Sequence, residues 1–178
     1  MNHGDLVVTD SAVQSNLATS FSGAFYSVPH SKLRLIDSIV CRNTAGSYGG
    51  AMILHGATTM HRSQIYDNTA PQFAAIYFGA EGLPHHSTLT LTMINCTVAG
   101  NIAVERGGGL VNSGIGSQLV LIGSRIVNNR SPIGAGVINL AASDSTVVNT
   151  TFEANGTRIC GNTGEQGVGV HNTGLRLS

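Results

Sequence analysis

The sequence has little charge and few aromatic rings. Lys, Arg, Asp and Glu together make up 10% of its 178 residues, against about 25% in an ordinary soluble domain. Basic and acidic residues balance at nine each, so there is no electrostatic footprint for nucleic acid and no polybasic patch for a membrane surface. Trp is absent, with five Phe and four Tyr. The three cysteines, Cys41, Cys96 and Cys160, are odd in number, give no disulfide framework and read as small core residues. No run of 18 apolar residues occurs, hence no transmembrane helix is expected. Residues 1–30 have no basic start followed by an apolar core, so no signal peptide is expected there.

What the chain does have is glycine, 23 residues of it, and one unit that recurs from end to end. Residues 38–52 show it most plainly. Aligned on an Asn at position zero, the copies carry Asn16, Asn43, Asn68, Asn101, Asn129 and Asn155. Three residues earlier stand Val13, Val40, Ile65, Val98, Ile126 and Phe152, all apolar. Five earlier stand Ser11, Ser38, Ser63, Cys96, Ser124 and Thr150, all small, and eight earlier Val8, Leu35, Met60, Met93, Leu121 and Val147. Seven residues after the Asn come Gly23, Gly50, Ala75, Gly108 and Gly136. Asn155 breaks this last column and Asn162 restores it at Gly169, so residues 156–161 read as a small insertion.

The Asn spacing runs from 25 to 33 residues, the period of a solenoid. Inside the unit the period is two, so its segments are strands. The expected fold is all-β: a right-handed single-stranded parallel β-helix of about six coils of 25–33 residues. Three short strands are expected per coil, near positions −10 to −7, −5 to −2 and +6 to +10. The hand follows from the bias of such strand connections. Stacked Asn side chains can bond one another and the turn backbone. The Gly column marks a bend or a place without room for a Cβ. One domain, residues 1–178, is expected. The end of the chain, residues 174–178, repeats the start of a coil at 32–35. It lacks the polar cap that terminal repeats need, which reads as a segment of a longer solenoid or an end covered by a partner.

The unit resembles the repeats of the polymorphic outer membrane proteins of chlamydiae, with their paired GGA[ILV] and FxxN motifs. The FxxN slots read VQSN (13–16), VCRN (40–43), IYDN (65–68), VAGN (98–101), IVNN (126–129), FEAN (152–155) and ICGN (159–162). The GGA slots read SGAF (22–25), GGAM (49–52), AAIY (74–77), GGGL (107–110), GAGV (134–137) and GVGV (167–170). Similar repeats occur in the wider pectin-lyase-like superfamily. The resemblance implies part of the passenger of a surface protein of the autotransporter type, without its signal peptide or membrane barrel.

Candidate chemistry is sparse, and no catalytic, cofactor-binding or metal-ligating residue is assigned. Asp10 and Asp37 share the −6 column on adjacent coils, the one stacked carboxylate pair, with Arg62 next in line, followed by Asn95, Gly123 and Asn149. Polysaccharide lyases and hydrolases need clustered carboxylates, whereas Asp, Asn and Gly in one column are what a turn selects. His85 and His86 with His55 or His61 are the only metal candidates, and they lack the spacing of a metal site. Thr88, Thr90 and Thr92 alternate without counterparts in neighbouring coils, which argues against an ice-binding array. Four Asn-X-Ser/Thr sequons start at Asn95, Asn129, Asn149 and Asn155, of which Asn129 and Asn155 are expected in the ladder. The expected function is a non-enzymatic β-helical module at the cell surface or outside the cell. It would act as a rigid spacer or as an adhesive surface for a glycan or protein, with an end-to-end stacking partner at the C-terminal coil. The alternatives are a carbohydrate-active β-helix and a structural subunit stacked in a larger assembly.

Overall fold

The computed structural model describes residues 1–79, 89–114, 116–140 and 151–172. Pro84, His85, His86 and Thr88 lie outside the described residues, as do the coil start near Ser145, Val147, Asn149 and Thr150, and residues 174–178.

The described chain is all-β, and its strands recur in order. The first repeat contributes β1 (Asp5–Thr9), β2 (Ala12–Gln14), β3 (Leu17–Ala18) and β4 (Phe25–Ser27). The second contributes β5 (Lys32–Ile36), β6 (Ile39–Cys41), β7 (Thr44–Ala45) and β8 (Met52–Leu54). The third has β9 (Ala57–His61), β10 (Gln64–Tyr66), β11 (Thr69–Gln72) and β12 (Ile76–Gly79). The fourth has β13 (Leu89–Ile94), β14 (Thr97–Ala99), β15 (Ile102–Arg106) and β16 (Leu110–Ser113). The fifth has β17 (Ser117–Ile122), β18 (Arg125–Val127) and β19 (Val137–Leu140), and the sixth β20 (Thr151–Asn155), β21 (Arg158–Cys160) and β22 (Val170–Asn172).

Equivalent strands pair in parallel. The first sheet runs β1-β5-β9-β13-β17-β20, the second β2-β6-β10-β14-β18-β21, the third β3-β7-β11-β15 and the fourth β4-β8-β12-β16-β19-β22. A repeat of the first four therefore has four strands, not the three expected. The missed one, just after the ladder Asn, is only two residues long in β3 and β7, too short to leave a period of two in the sequence. In the last two repeats it shrinks to the isolated bridges Ile102–Arg130 and Arg130–Thr163.

Alternation decides which side chains go inward. In β13 every second residue, Leu89, Leu91 and Met93, is buried. Sheets one, two and four feed one apolar cluster. Leu35, Met60, Met93 and Leu121 stack in one column, Val40, Ile65, Val98 and Ile126 in another, and Met52, Ile76, Leu110 and Val137 in a third. Each such side chain, fully buried, contributes about 1.5–3 kcal/mol.

The polar columns are hydrogen-bonded rather than merely small. The backbone N–H and Nδ2 of Asn43 both donate to Asn68 Oδ1 at 3.0 Å. Asn68 does the same to Asn101, Asn101 to Asn129, and Asn129 to Asn162. The Ser column forms a second ladder in the same direction. Ser11 N–H donates to Ser38 Oγ, Ser38 N–H to Ser63 Oγ, Cys96 N–H to Ser124 Oγ and Ser124 N–H to Thr157 Oγ1.

The sixth repeat corrects the sequence register. Arg158, Ile159 and Cys160 pair with Arg125, Ile126 and Val127, and Thr151 to Asn155 pair with Gln118 to Ile122. The ladder Asn is therefore Asn162. Asn155 is an exposed strand end, and Phe152 falls in the column of Leu119. Residues 156–161 are not an insertion but the regular turn and second strand. The glycine column also slips: Gly50 lies beside Ala74, not Ala75, and Gly108 beside Ala135, not Gly136, because the third, fifth and sixth repeats have one residue fewer between the ladder Asn and the fourth-sheet strand. The other GGA slots are in register. Cys160 is exposed, unlike buried Cys41 and Cys96, so only two of the three cysteines are core residues.

Candidate binding groove

Three corners per repeat turn through left-handed backbone. The first corner holds Asp10, Asp37, Arg62, Asn95, Gly123 and Gly156, all at positive φ. Asp, Asn and Gly are what such a corner selects, and Arg62, at φ 45, is the misfit. Its guanidinium reaches back to Asp37, Nε to Oδ1 at 2.7 Å and Nη2 to Oδ2 at 2.6 Å. That two-pronged bond, with smaller help from the charges of Arg62 and His61, holds the Asp37 carboxyl below its ordinary range against some desolvation. The structure thus brings Asp37 and Arg62 together as an ion pair rather than as an acid and a base free to act. Asp10 stands in the same corner one repeat away.

The metal candidates separate. His55 is buried, and its Nδ1 is 2.9 Å from the carbonyl oxygen of Gly79. His61 ends β9, and His85 and His86 lie outside the described residues. Among the described residues no three His, Cys, Asp or Glu side chains converge. Thr92 does have a counterpart, Thr59, directly beside it, but the column continues with Arg34 on one side and Val120 on the other. It is not a threonine array.

The site that sequence reasoning missed lies on the outer side of the fourth sheet. The outward column of that sheet is apolar: Tyr26, Ile53, Tyr77, Val111 and Ile138. Ile53, Tyr77, Val111 and Ile138 cluster with Phe73, separately from the main core. The neighbouring corner adds a row of rings. Phe21 stacks on Tyr48 with centroids 5.6 Å apart, Tyr48 on Phe73 at 5.8 Å, and Phe73 on Tyr77 at 4.8 Å. His55 stands edge-on between Tyr26 and Tyr77, at 5.8 and 6.0 Å. The rings, His55 and Ile53, together with Arg106, Ser113 and Leu140, line a groove of about 530 Å³.

Polar groups sit at its rim. The Arg106 guanidinium lies over the Phe73 ring at 5.2 Å and its Nε–H donates to Gln72 Oε1 at 2.9 Å. Gln72 Nε2 donates in turn to the Glu105 carboxylate. A cation on a ring face binds by the ring quadrupole, so Arg106 is fixed with its guanidinium at the groove. Tyr48 and Phe21 keep 37% and 53% of their surface exposed, so solvent reaches the ring row.

Phe73 is the most telling member. It occupies the third left-handed corner at φ 58, where the other repeats place Ser22, Gly49, Gly107, Gly134 and Gly167. A non-glycine residue there costs about 1–2 kcal/mol. The signal for this row was in the sequence: Phe21, Tyr48 and Phe73 each follow a ladder Asn by five residues. No protein-family model, curated protein or solved structure matches the chain.

Proposed function

We propose that the chain is a right-handed parallel β-helix, a surface or extracellular module whose work is binding, and that the aromatic groove contacts a glycan. The parallel strand order supports the first part, since three of the four sheets receive one strand from every repeat. The resemblance of the repeat to chlamydial surface-protein repeats and to pectin-lyase-like proteins points the same way.

Phe73 carries the second part. A bulky ring stands at a left-handed corner, in a column otherwise given to Ser and Gly, and such backbone strain clusters at functional sites. The ring joins Tyr48 and Tyr77 into a continuous aromatic wall. Aromatic surface offers faces and edges to the C–H faces of a sugar, while phenolic hydroxyls, imidazole and guanidinium serve its hydroxyls. The carboxylate chemistry of a hydrolase or lyase has weaker support, because Asp37 is engaged by Arg62.

The test is binding of the purified chain to a panel of immobilised neutral and acidic oligosaccharides. Binding that Tyr48→Ala and Arg106→Ala each weaken about fivefold to tenfold is expected, the worth of one aromatic or cation contact. Binding that ignores both substitutions would move the contact away from the groove.

A further inference from the structure

The groove carries its charge at one end, and that limits what a ligand bound there can carry. The ring row follows the repeats one by one, with Phe21 in the first, Tyr48 in the second, Phe73 in the third, and Arg106 of the fourth laid over Phe73. Among the described residues Arg106 is the one Lys or Arg that lines the groove, and no Asp or Glu lines it.

No carboxylate neutralises Arg106. The ion pairs among the described residues join Lys32 to Asp5 and Arg62 to Asp37, so neither involves it. Its Nε–H is committed to Gln72 Oε1 at 2.9 Å, and the Glu105 carboxylate is taken up by Gln72 Nε2 rather than by the guanidinium. The remaining N–H groups of the fork donate to no described residue and suit a planar anion.

The rest of the wall suits uncharged oxygen. Tyr48 has a ring on each side, Phe21 with 7° and Phe73 with 26° between planes, so these rings turn their edges outward. A ring edge carries partial positive charge. It matches the partial negative charge of a hydroxyl or ether oxygen, but it repays little of the hydration that an ionised carboxylate loses. His55 adds an acceptor. Its Nδ1 lies 2.9 Å from the Gly79 carbonyl oxygen, which can only accept, so Nδ1 carries the proton. In the neutral ring Nε2 is then left to accept from a ligand hydroxyl.

We propose that the groove takes an oligosaccharide that is neutral along its length and bears a single anionic group at one end. The anion sits on Arg106, and the neutral sugars run along Phe73, Tyr48 and Phe21 toward the first repeat. The assignment rests on the glycan reading of the groove and adds to it the charge and the direction of the ligand.

Calorimetric titration of the purified chain with four oligosaccharides of equal length tests it. One is uncharged, one ends in a uronic acid, one ends in a sulfated sugar, and one is a polyuronate. A singly acidic ligand should bind about fivefold to tenfold more tightly than the uncharged one, and the better of the two identifies the anion. The polyuronate should bind more weakly than the ligand with one uronic acid. Arg106→Gln should erase the preference for the acidic end and Arg106→Lys should keep part of it, with circular dichroism showing the fold intact. In the wild type, added salt should shrink the preference, because Arg106 is exposed and exposed charges are screened. Equal binding of the uncharged and singly acidic ligands, weakened for both by Tyr48→Ala, would overturn the proposal and leave the glycan reading standing. So would tightest binding of the polyuronate, or a preference that survives Arg106→Gln. Binding of none of the four would overturn both.

Discussion

Single residues in this fold differ in importance by where they stand in a ladder. Asn68 is fully buried and its Nδ2 donates to Val40 O, Tyr66 O and Asn101 Oδ1. Replacing it with Ala strands the two donors of Asn43, while Asn101 Oδ1 keeps the Asn68 N–H and Tyr66 O keeps the Arg42 N–H, a loss of about 3 kcal/mol. Asn16→Ala, at an exposed end, should cost about 1 kcal/mol or less, and urea unfolding of the pair checks the contrast. Cys96 interrupts the Ser ladder with a thiol whose pKa is pushed up by burial, against hydrogen bonds at Ser63 and Ile94. Cys96→Ser restores an oxygen there and should be neutral or stabilising by up to about 1 kcal/mol, contrary to the usual cost of a buried polar substitution. With the fold intact, a thiol reagent should modify Cys160 first and reach Cys41 and Cys96 only on unfolding. Asp37 titrates below its ordinary value of 3.8 because of Arg62. Its contribution is therefore present above that value and is lost as pH falls through the depressed one. Arg62→Gln should return the Asp37 carboxyl toward the ordinary value in an NMR titration.

Elements show why part of the architecture was legible in the sequence and part was not. The Asn, Ser and first apolar columns stand on strands of constant length, so a residue count finds them. The GGA slots stand one residue closer to the Asn in the third, fifth and sixth repeats and were legible by their own glycines, except in the third, where AAIY is read one position late. In the sixth repeat the count settled on Asn155, since Asn suits any polar turn and both FEAN and ICGN fit the motif. Only pairing shows that Ile159, not Phe152, follows Ile126. A further column was invisible to residue type. The inward positions of sheet four read Ser27, Leu54, Phe78, Asn112, Asn139 and Asn172, changing from apolar to amide midway. Asn112 donates to Asn139 Oδ1 and Thr151 O, but its own Oδ1, next to Phe78, is buried without a partner. The groove was missed because its members belong to two elements, a corner and a sheet face. Phe73→Gly removes the strained backbone of the corner but also the ring that joins Tyr48 to Tyr77. It should lower stability by about 1–3 kcal/mol net, the lost packing outweighing the relieved strain, as thermal unfolding would show.

At the scale of the molecule, the ladders and the proposed binding groove are laid out on different surfaces. Inward columns and ladders hold each repeat on its neighbours, as expected where contacts run between adjacent repeats. The groove on the outer side of sheet four, with Phe21 and Tyr48 exposed, is the surface proposed for binding. Absence of Trp makes this directly observable, because three of the four tyrosines, Tyr26, Tyr48 and Tyr77, line the groove. The most direct measurement is intrinsic tyrosine emission during titration with soluble neutral and acidic oligosaccharides. The account predicts a saturable change with at least one of them, lost in Tyr48→Ala combined with Arg106→Ala while the fold is kept. Emission that stays flat with every oligosaccharide, or that changes equally in the double variant, would contradict it.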